Sequence, residues 1–348
     1  MALKDVIGQE SAVKILESAI LNHKVASAYL FQGYSGIGKY FTALNFAKAL
    51  NCTRRPARKG FRAGEENGAG ADACDDCPSC GRIEAGIHPD VAIIRPEKGV
   101  IKIEEIRKLE ETLSLCSYEG GYKAAIVDDA HLMNDKAANA FLKCLEEPPA
   151  GSVIVLVSSN PERLPVTIRS RCLALAFKPL SAGLMESLLK DRIKDPEKRH
   201  ALIGLSMGRP GLVIEKGGKG GDILKKRQEF VKSLLQMLAG SRGNPSWSDK
   251  EEIEEFMDGL ELCLRDMLVL RTTGKEELLL NPALPEKVKS LGKAASEEVI
   301  IDCYRGIAGI KNSLVYNPNK SILWNYTAGL LGRLANPGDP YGEGKSRN

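Results

Sequence analysis

No stretch of the 348 residues approaches the roughly 18 consecutive apolar positions that cross a bilayer, so no membrane partner is expected. The opening MALKDVIGQE lacks the apolar core of a signal peptide, and the expected location is the cytoplasm. Charge of one sign is missing too. Forty-nine Lys and Arg against 45 Asp and Glu leave a net +4, short of the basic excess of a dedicated nucleic-acid-binding domain. No short internal repeat is visible. The length suffices for a sizeable core, so disulfide staples are not needed.

What is present reads as alternating strands and helices. SAVKILESAILN (11–22) places Val13, Leu16, Ala19 and Ile20 at helical spacing, with Ser11 as the expected N-cap. AYLFQG reads as a buried strand, and YFTALNFAKAL as a helix with Phe41, Leu44, Ala47 and Leu50 on one face. VAIIRP (91–96), KAAIVDDA (123–130) and SVIVLVSSN (152–160) are further short strands, separated by the helical IKIEEIRKLEETLSL and NDKAANAFLKCLEE. That order implies a parallel sheet covered on both faces. Residues 53–73 have no apolar periodicity and read as a flexible surface insertion. Its basic cluster Arg54, Arg55, Arg58, Lys59 and Arg62 has Phe61 as its one aromatic, so it reads as a solvated loop rather than a nucleic-acid platform. Beyond residue 178 helices take over, with turns at SMGRPG (206–211) and a linker at KGGKGG (216–221). The expected division is an α/β domain at 1–178, a small helical domain at 179–217, an all-α domain at 222–335 and a flexible tail at 336–348.

GYSGIGKY (33–40) follows the first strand and opens a helix, the context in which a phosphate-binding loop is credible. Gly33, Gly36 and Gly38 permit close backbone approach, and Lys39 suits the β/γ-phosphates. The next position should carry a small hydroxyl for Mg²⁺, and it is Tyr40, whose oxygen lies far out on a rigid ring. IVDDAH ends a strand on Asp128, which fits a metal-holding acid. The following acid, often a Glu that orients water, is here the shorter Asp129.

Cys74, Cys77 and Cys80 form C-x₂-C-x₂-C, with Cys52 upstream. Four thiolates suit a closed tetrahedral Zn²⁺ site; an iron–sulfur cluster is the competing reading. The other five cysteines are scattered and read as small buried hydrophobes.

AYLFQGYSGIGK, the four cysteines, IHPDVAIIRPEKGVIKIEEIRKL, VDDAHLMNDKAANAFLKCLEEPP and VSSNPERLPVTIRSRC together resemble the δ′ subunits of the bacterial DNA polymerase III clamp loader, and NPNKSILWNYTAGLL resembles their collar. The likeness covers about residues 3–335. It implies an AAA+ P-loop nucleotide domain with a parallel sheet and a zinc module at 52–80, a small helical lid and an all-α collar. It also implies a place in a hetero-pentameric ring with γ/τ and δ subunits that loads a sliding clamp onto primer–template DNA. Arg171, in the Ser-Arg-Cys triplet, would be an arginine finger given in trans to ATP on a neighbouring γ/τ subunit. Ser159 would be a γ-phosphate sensor. Active motor subunits of this class carry Ser or Thr after the loop Lys, an Asp-Glu pair, and an Arg in a lid motif beginning Gly-Ser. This chain has Tyr40, Asp129 and Gly208-Arg209-Pro210-Gly211, with Gly211 at the lid-arginine position. The resemblance therefore implies a stator-like subunit with no ATPase of its own and doubtful ATP binding. The alternative is an active γ/τ-type ATPase.

Overall fold

Short runs rich in Val, Ile and Ala form the five strands of a parallel sheet: β1 (Ala28–Gln32), β2 (Val91–Ile94), β3 (Lys123–Val127), β4 (Ser152–Ser158) and β5 (Leu173–Ala176). Their spatial order is β2-β3-β4-β1-β5. The computed structural model describes residues 1–54, 70–97, 99–214, 220–239, 247, 250–281, 284–314 and 318–335. They fall into two compact units, Met1–Lys178 and Pro179–Asn348.

The inner strands β1, β3 and β4 are buried on both faces, as strands of parallel sheets built from βα crossovers are. Period-two alternation sends Tyr29, Phe31, Ala124, Ile126, Val153, Val155 and Val157 into one core. Helices α1 (Glu10–Leu21) and α2 (Lys39–Asn51) close it through Leu16, Ile20, Phe46 and Leu50. The intervening residues Leu30, Ala125, Val127, Ile154 and Leu156 face the other core. After α3 (Pro78–Glu84), helices α4 (Ile103–Ser114) and α5 (Asp135–Glu146) cover that side with Ile106, Leu109 and Phe141. A single turn, α6 (Val166–Arg169), precedes β5.

Three local expectations change. Gln9, not Ser11, stands at the N-cap of α1. Its amide instead clamps the far end of the unit, donating to Lys178 O at 2.7 Å and accepting from Lys178 N at 3.0 Å. The insertion does not run loose to residue 73: Ala71 and Ala73 are buried, and Asp72 accepts from Leu3 N at 2.7 Å and Lys4 N at 3.1 Å. Arg54 donates to Asp76 O at 2.7 Å, while Arg55, Arg58, Lys59 and Arg62 lie outside the described residues. Gly220 and Gly221, expected in the glycine-rich linker, already belong to a helix; 216–219 and the tail 336–348 lie outside the described residues.

In the second unit, α7 (Ala182–Leu189), α8 (Pro196–Ser206) and the turn α9 (Gly211–Ile214) pack around Met185, Leu189, Leu202, Ile203 and Val213. Ser181 and Asp195 cap α7 and α8 by accepting from Leu184 N and Glu197 N. Among the described residues five further helices follow: α10 (Gly220–Leu238), α11 (Lys250–Thr273), α12 (Glu286–Ala294), α13 (Glu297–Ser313) and α14 (Lys320–Ala335). Trp247 joins them, its ring 5.2 Å from that of Phe256 and 5.7 Å from that of Trp324. Among the described residues no helix is long and apolar enough to cross a membrane.

Candidate functional site

The loop between β1 and α2 is built by its glycines. Gly33, Gly36 and Gly38 take φ of 146°, 77° and 95°, values that L side chains rarely adopt. Gly38 stands at the N-cap of α2 with no side chain to cap it, so the first N–H groups of the helix face the loop, as an anion would require. Lys39 is nearly buried, and its ammonium donates to Gly33 O at 2.6 Å and Tyr34 O at 2.7 Å. Thr42 offers no substitute for the hydroxyl missing at position 40. It is fully buried and donates to Gly38 O at 2.9 Å.

The Tyr40 ring lies under Arg95, whose guanidinium carbon is 4.6 Å from the ring centre. Arg95 Nε is also 3.9 Å from Asp128 Oδ2. A protein cation thus stands beside the acid expected to hold a metal. Burial pushes the Asp128 carboxyl up to about 6, with Asp129 adding to the effect and Arg95 and Lys39 opposing it. Burial likewise raises the Tyr40 phenol, against the pull of Arg95. Asp129 sits in the left-handed region at φ 46°, and its N–H donates to Asp128 Oδ1 at 3.2 Å. Arg95 was missed in the sequence because it lies far from both motifs in the chain. Only the strand pairing reveals it: Ile94 is in register with Val127, and Asp128 N donates to Ile94 O at 2.9 Å.

At the end of β4, Ser159 Oγ lies 3.4 Å from His131 Nε2. The next residue, Asn160, is the more enclosed. It is 8% exposed, its N–H donates to Ser158 Oγ at 3.2 Å, and among the described residues its side-chain nitrogen has no hydrogen-bond partner. Gly33 N donates to Ser158 O at 3.3 Å, so this strand end adjoins the glycine-rich loop. Arg171 lies away from that cluster, in the turn before edge strand β5. Its side chain is 38% exposed; Nη1 donates to Thr167 O at 2.9 Å, and Nη2 is 2.8 Å from Glu146 Oε1.

Cys52, at the C-cap of α2, meets Cys74, Cys77 and Cys80, with all four Sγ atoms within 4.8 Å of one another. Tetrahedral thiolates at a Zn–S distance of about 2.3 Å would be about 3.8 Å apart, and Cys52 Sγ and Cys77 Sγ are 3.9 Å apart. Backbone N–H groups serve the sulfurs: Cys74 N donates to Cys52 Sγ and Cys80 N to Cys77 Sγ, each at 3.4 Å. Burial opposes ionisation of Cys77, yet hydrogen bonds from Thr53 and Cys80 carry its thiol down to about 5. Burial raises Cys52 and Cys80. The donor set fits a closed metal site.

The surroundings tie this cluster to the sheet. Lys48, 2% exposed, pairs with Glu84 and Asp75. Ser79 Oγ donates to Asn51 O at 2.8 Å and lies 3.0 Å from His88 Nε2. Asp90, two residues on, accepts from Tyr118 N, Glu119 N and Ser117 Oγ at 2.8, 2.9 and 3.0 Å, and its pKa falls because these bonds outweigh burial. Glu119 pairs in turn with Arg82 of α3.

In the second unit Met207 and Gly208 turn the chain with φ of 46° and 76°, and Gly211 begins α9. Arg209 is 3% exposed. Nε donates to Ser206 O at 3.2 Å and Nη1 is 3.5 Å from Asp258 Oδ2 on α11. Lys311 of α13 completes the group, 2.8 Å from Asp258 and 2.9 Å from Glu261. The guanidinium two residues before the expected lid position is therefore part of a buried ionic cluster.

A parallel sheet ordered β2-β3-β4-β1-β5, a glycine-rich loop after its first strand, an acid at the end of β3 and a helical C-terminal region define an α/β fold of the AAA+ type. A sequence profile described as "DNA polymerase III, delta subunit" matches residues 8–181, and the chain belongs to that family. It is similar to DNA polymerase III subunit delta′ of Bacillus subtilis (strain 168), 29% identical over 93% of this chain and 96% of that protein. It is also 35% identical to the Pseudomonas aeruginosa subunit delta′, over 64% of this chain and 66% of that one. DNA polymerase III subunit tau of Bacillus subtilis (strain 168) is 35% identical over 56% of this chain, which spans about a third, 32%, of the longer protein.

Proposed function

We propose that the chain is a non-hydrolysing, stator-like delta′ subunit of a DNA polymerase III clamp loader. In this reading it works in the cytoplasm within a hetero-pentameric ring of γ/τ and δ subunits that places a sliding clamp on primed DNA. Residues 1–178 form its nucleotide-type domain, 179–217 its lid and 222–335 its collar. The supporting observation is the Tyr40 ring under the Arg95 guanidinium, beside Asp128, at the place where a working site needs a hydroxyl and a metal. The loop keeps its anion-facing N–H groups but lacks the parts that position Mg²⁺ and water, so ATP hydrolysis by this chain is not expected. The four cysteines would hold one structural Zn²⁺, pinning the segment between α2 and β2 through thiolate charge and coordination. That ion leaves no open position for chemistry.

The chain's chemical contribution would be Arg171, placed on an exposed edge of the first unit. A planar guanidinium engages two phosphate oxygens at once, and such a group supplied in trans raises hydrolysis by about 10³ to 10⁵. The test has two arms. The purified chain, and its Tyr40→Thr variant, should turn over ATP far below the roughly 1 s⁻¹ of ordinary enzymes; turnover near that rate overturns the stator reading. Complexes reconstituted with Arg171→Ala should assemble normally but lose part of their DNA-stimulated ATPase and more of their clamp loading. Wild-type rates in both would remove the finger.

A further inference from the structure

We infer that Glu146 is a parking site for Arg171, holding the guanidinium on this chain until a phosphate displaces the carboxylate. The inference rests on the reading of Arg171 as the group that completes a neighbour's ATP site. Both terminal nitrogens of Arg171 are engaged within the chain, Nη2 with Glu146 Oε1 at 2.8 Å and Nη1 with Thr167 O at 2.9 Å. A carboxylate presents a guanidinium with the same planar pair of oxygens that a phosphate does.

The position of Glu146 makes the pairing one that the fold invites. It is the last residue of α5, followed by Glu147 at the C-cap. The C-terminal end of a helix carries the negative pole of its dipole, where a carboxylate is disfavoured and a cation welcome. The basic residue of that turn, Lys143, is directed elsewhere, 3.2 Å from Glu110. Arg171 therefore supplies the cation from the turn before β5. The neighbouring Arg169 behaves differently. It pairs with Glu162 at 2.9 Å and its Nε is buried, so it belongs to the turn itself.

The strength of the contact suits a hand-over. The partners are 38% and 51% exposed, and ion pairs so solvated are worth about 0–1 kcal/mol. Such a pair orients the guanidinium yet yields to a triphosphate of higher charge. Once the phosphate arrives, the Glu146 carboxylate stands close to it and repels it. Neutralising Glu146 removes both the competition and the repulsion, and acts on ATP engagement rather than on the chemical step.

The experiment compares complexes reconstituted with wild-type chain, Glu146→Gln, Arg171→Ala and the double variant, measuring DNA-stimulated hydrolysis against ATP concentration. Glu146→Gln is expected to lower the half-saturating ATP concentration about two- to five-fold, with the maximal rate unchanged, and to have no effect in the Arg171→Ala background. A Glu146→Gln curve that overlays or lies to the right of wild type overturns the parking role, as does an equal shift in the absence of Arg171. If Arg171→Ala alone matches wild type, the finger reading beneath the inference falls. That result is separable, because it appears without any change at Glu146.

Discussion

Replacing Lys311 with Met removes one charge from a cluster of four that water hardly reaches. Lys311, Asp258, Glu261 and Arg209 are 9%, 6%, 4% and 3% exposed. The substitution keeps most of the side-chain volume but takes from Asp258 and Glu261 their contacts at 2.8 and 2.9 Å, leaving Asp258 with Arg209 at 3.5 Å. Breaking a buried pair from one side costs about 3–5 kcal/mol, because a desolvated charge is left behind. That is a large share of the roughly 5–15 kcal/mol that holds a domain together. The two tryptophans, Trp247 and Trp324, both lie in the second unit, so their fluorescence reports its unfolding. With a urea slope of about 2 kcal/mol/M, the midpoint should fall by about 1.5–2.5 M. Burial opposes the charge on Lys311, but Asp258 and Glu261 outweigh it and its pKa is raised. A raised lysine pKa stabilises the fold below the unfolded value and loses that contribution as pH rises through the folded one. The deficit of Lys311→Met should accordingly stay constant from about pH 6 to about pH 9, below the ordinary lysine pKa of about 10.4. A midpoint change worth under about 1 kcal/mol, the range of exposed pairs, would refute the assignment of this cluster as the tie between Arg209 and helices α11 and α13.

Metal analysis should find one Zn²⁺ per chain in reducing buffer. Cys77→Ser should lose it and speed amide exchange at Cys74 and Cys80 without moving the tryptophan-reported transition; iron, or no metal in the wild type, would remove the zinc reading. Asp128→Asn should stabilise the first unit. A carboxyl raised from 3.8 to about 6 costs the fold stability as it ionises, so the advantage of Asn builds from about pH 4 to pH 6 and then levels at about 2–3 kcal/mol. Equal unfolding curves for the two proteins at pH 8, followed by circular dichroism, would contradict this.

Strong local signals were legible in the sequence. AYLFQ, VAII, KAAIV and SVIVLVS all become strands, because a strand buried on both faces is an unbroken apolar run. LALA of β5 escaped notice. It is four residues long, on the sheet edge and mostly exposed, so no run marks it. The four cysteines were readable from spacing, since metal geometry constrains the chain locally. Arg95 was not, because its meeting with Tyr40 and Asp128 depends on which strands are neighbours. Arg209 was readable as a departure from a motif, but its engagement with Asp258 depends on where α11 places that residue, which no local pattern records.

Gly33 has a neighbour that no phosphate motif mentions. A Cβ at this position would stand 2.5 Å from Phe177 O, and Phe177 N donates to Gln32 O at 2.8 Å. The loop is thus the abutment against which the end of β5 is seated. Arg171 lies two residues before the other end of that strand, and the four residues Leu173–Ala176 span about 13 Å. A side chain added at position 33 would push on β5 and displace the turn that carries Arg171. The glycine would be demanded here even if no nucleotide ever entered the loop. A glycine-rich turn of this kind acts as a mechanical datum, fixing where the edge of the sheet and its arginine stand.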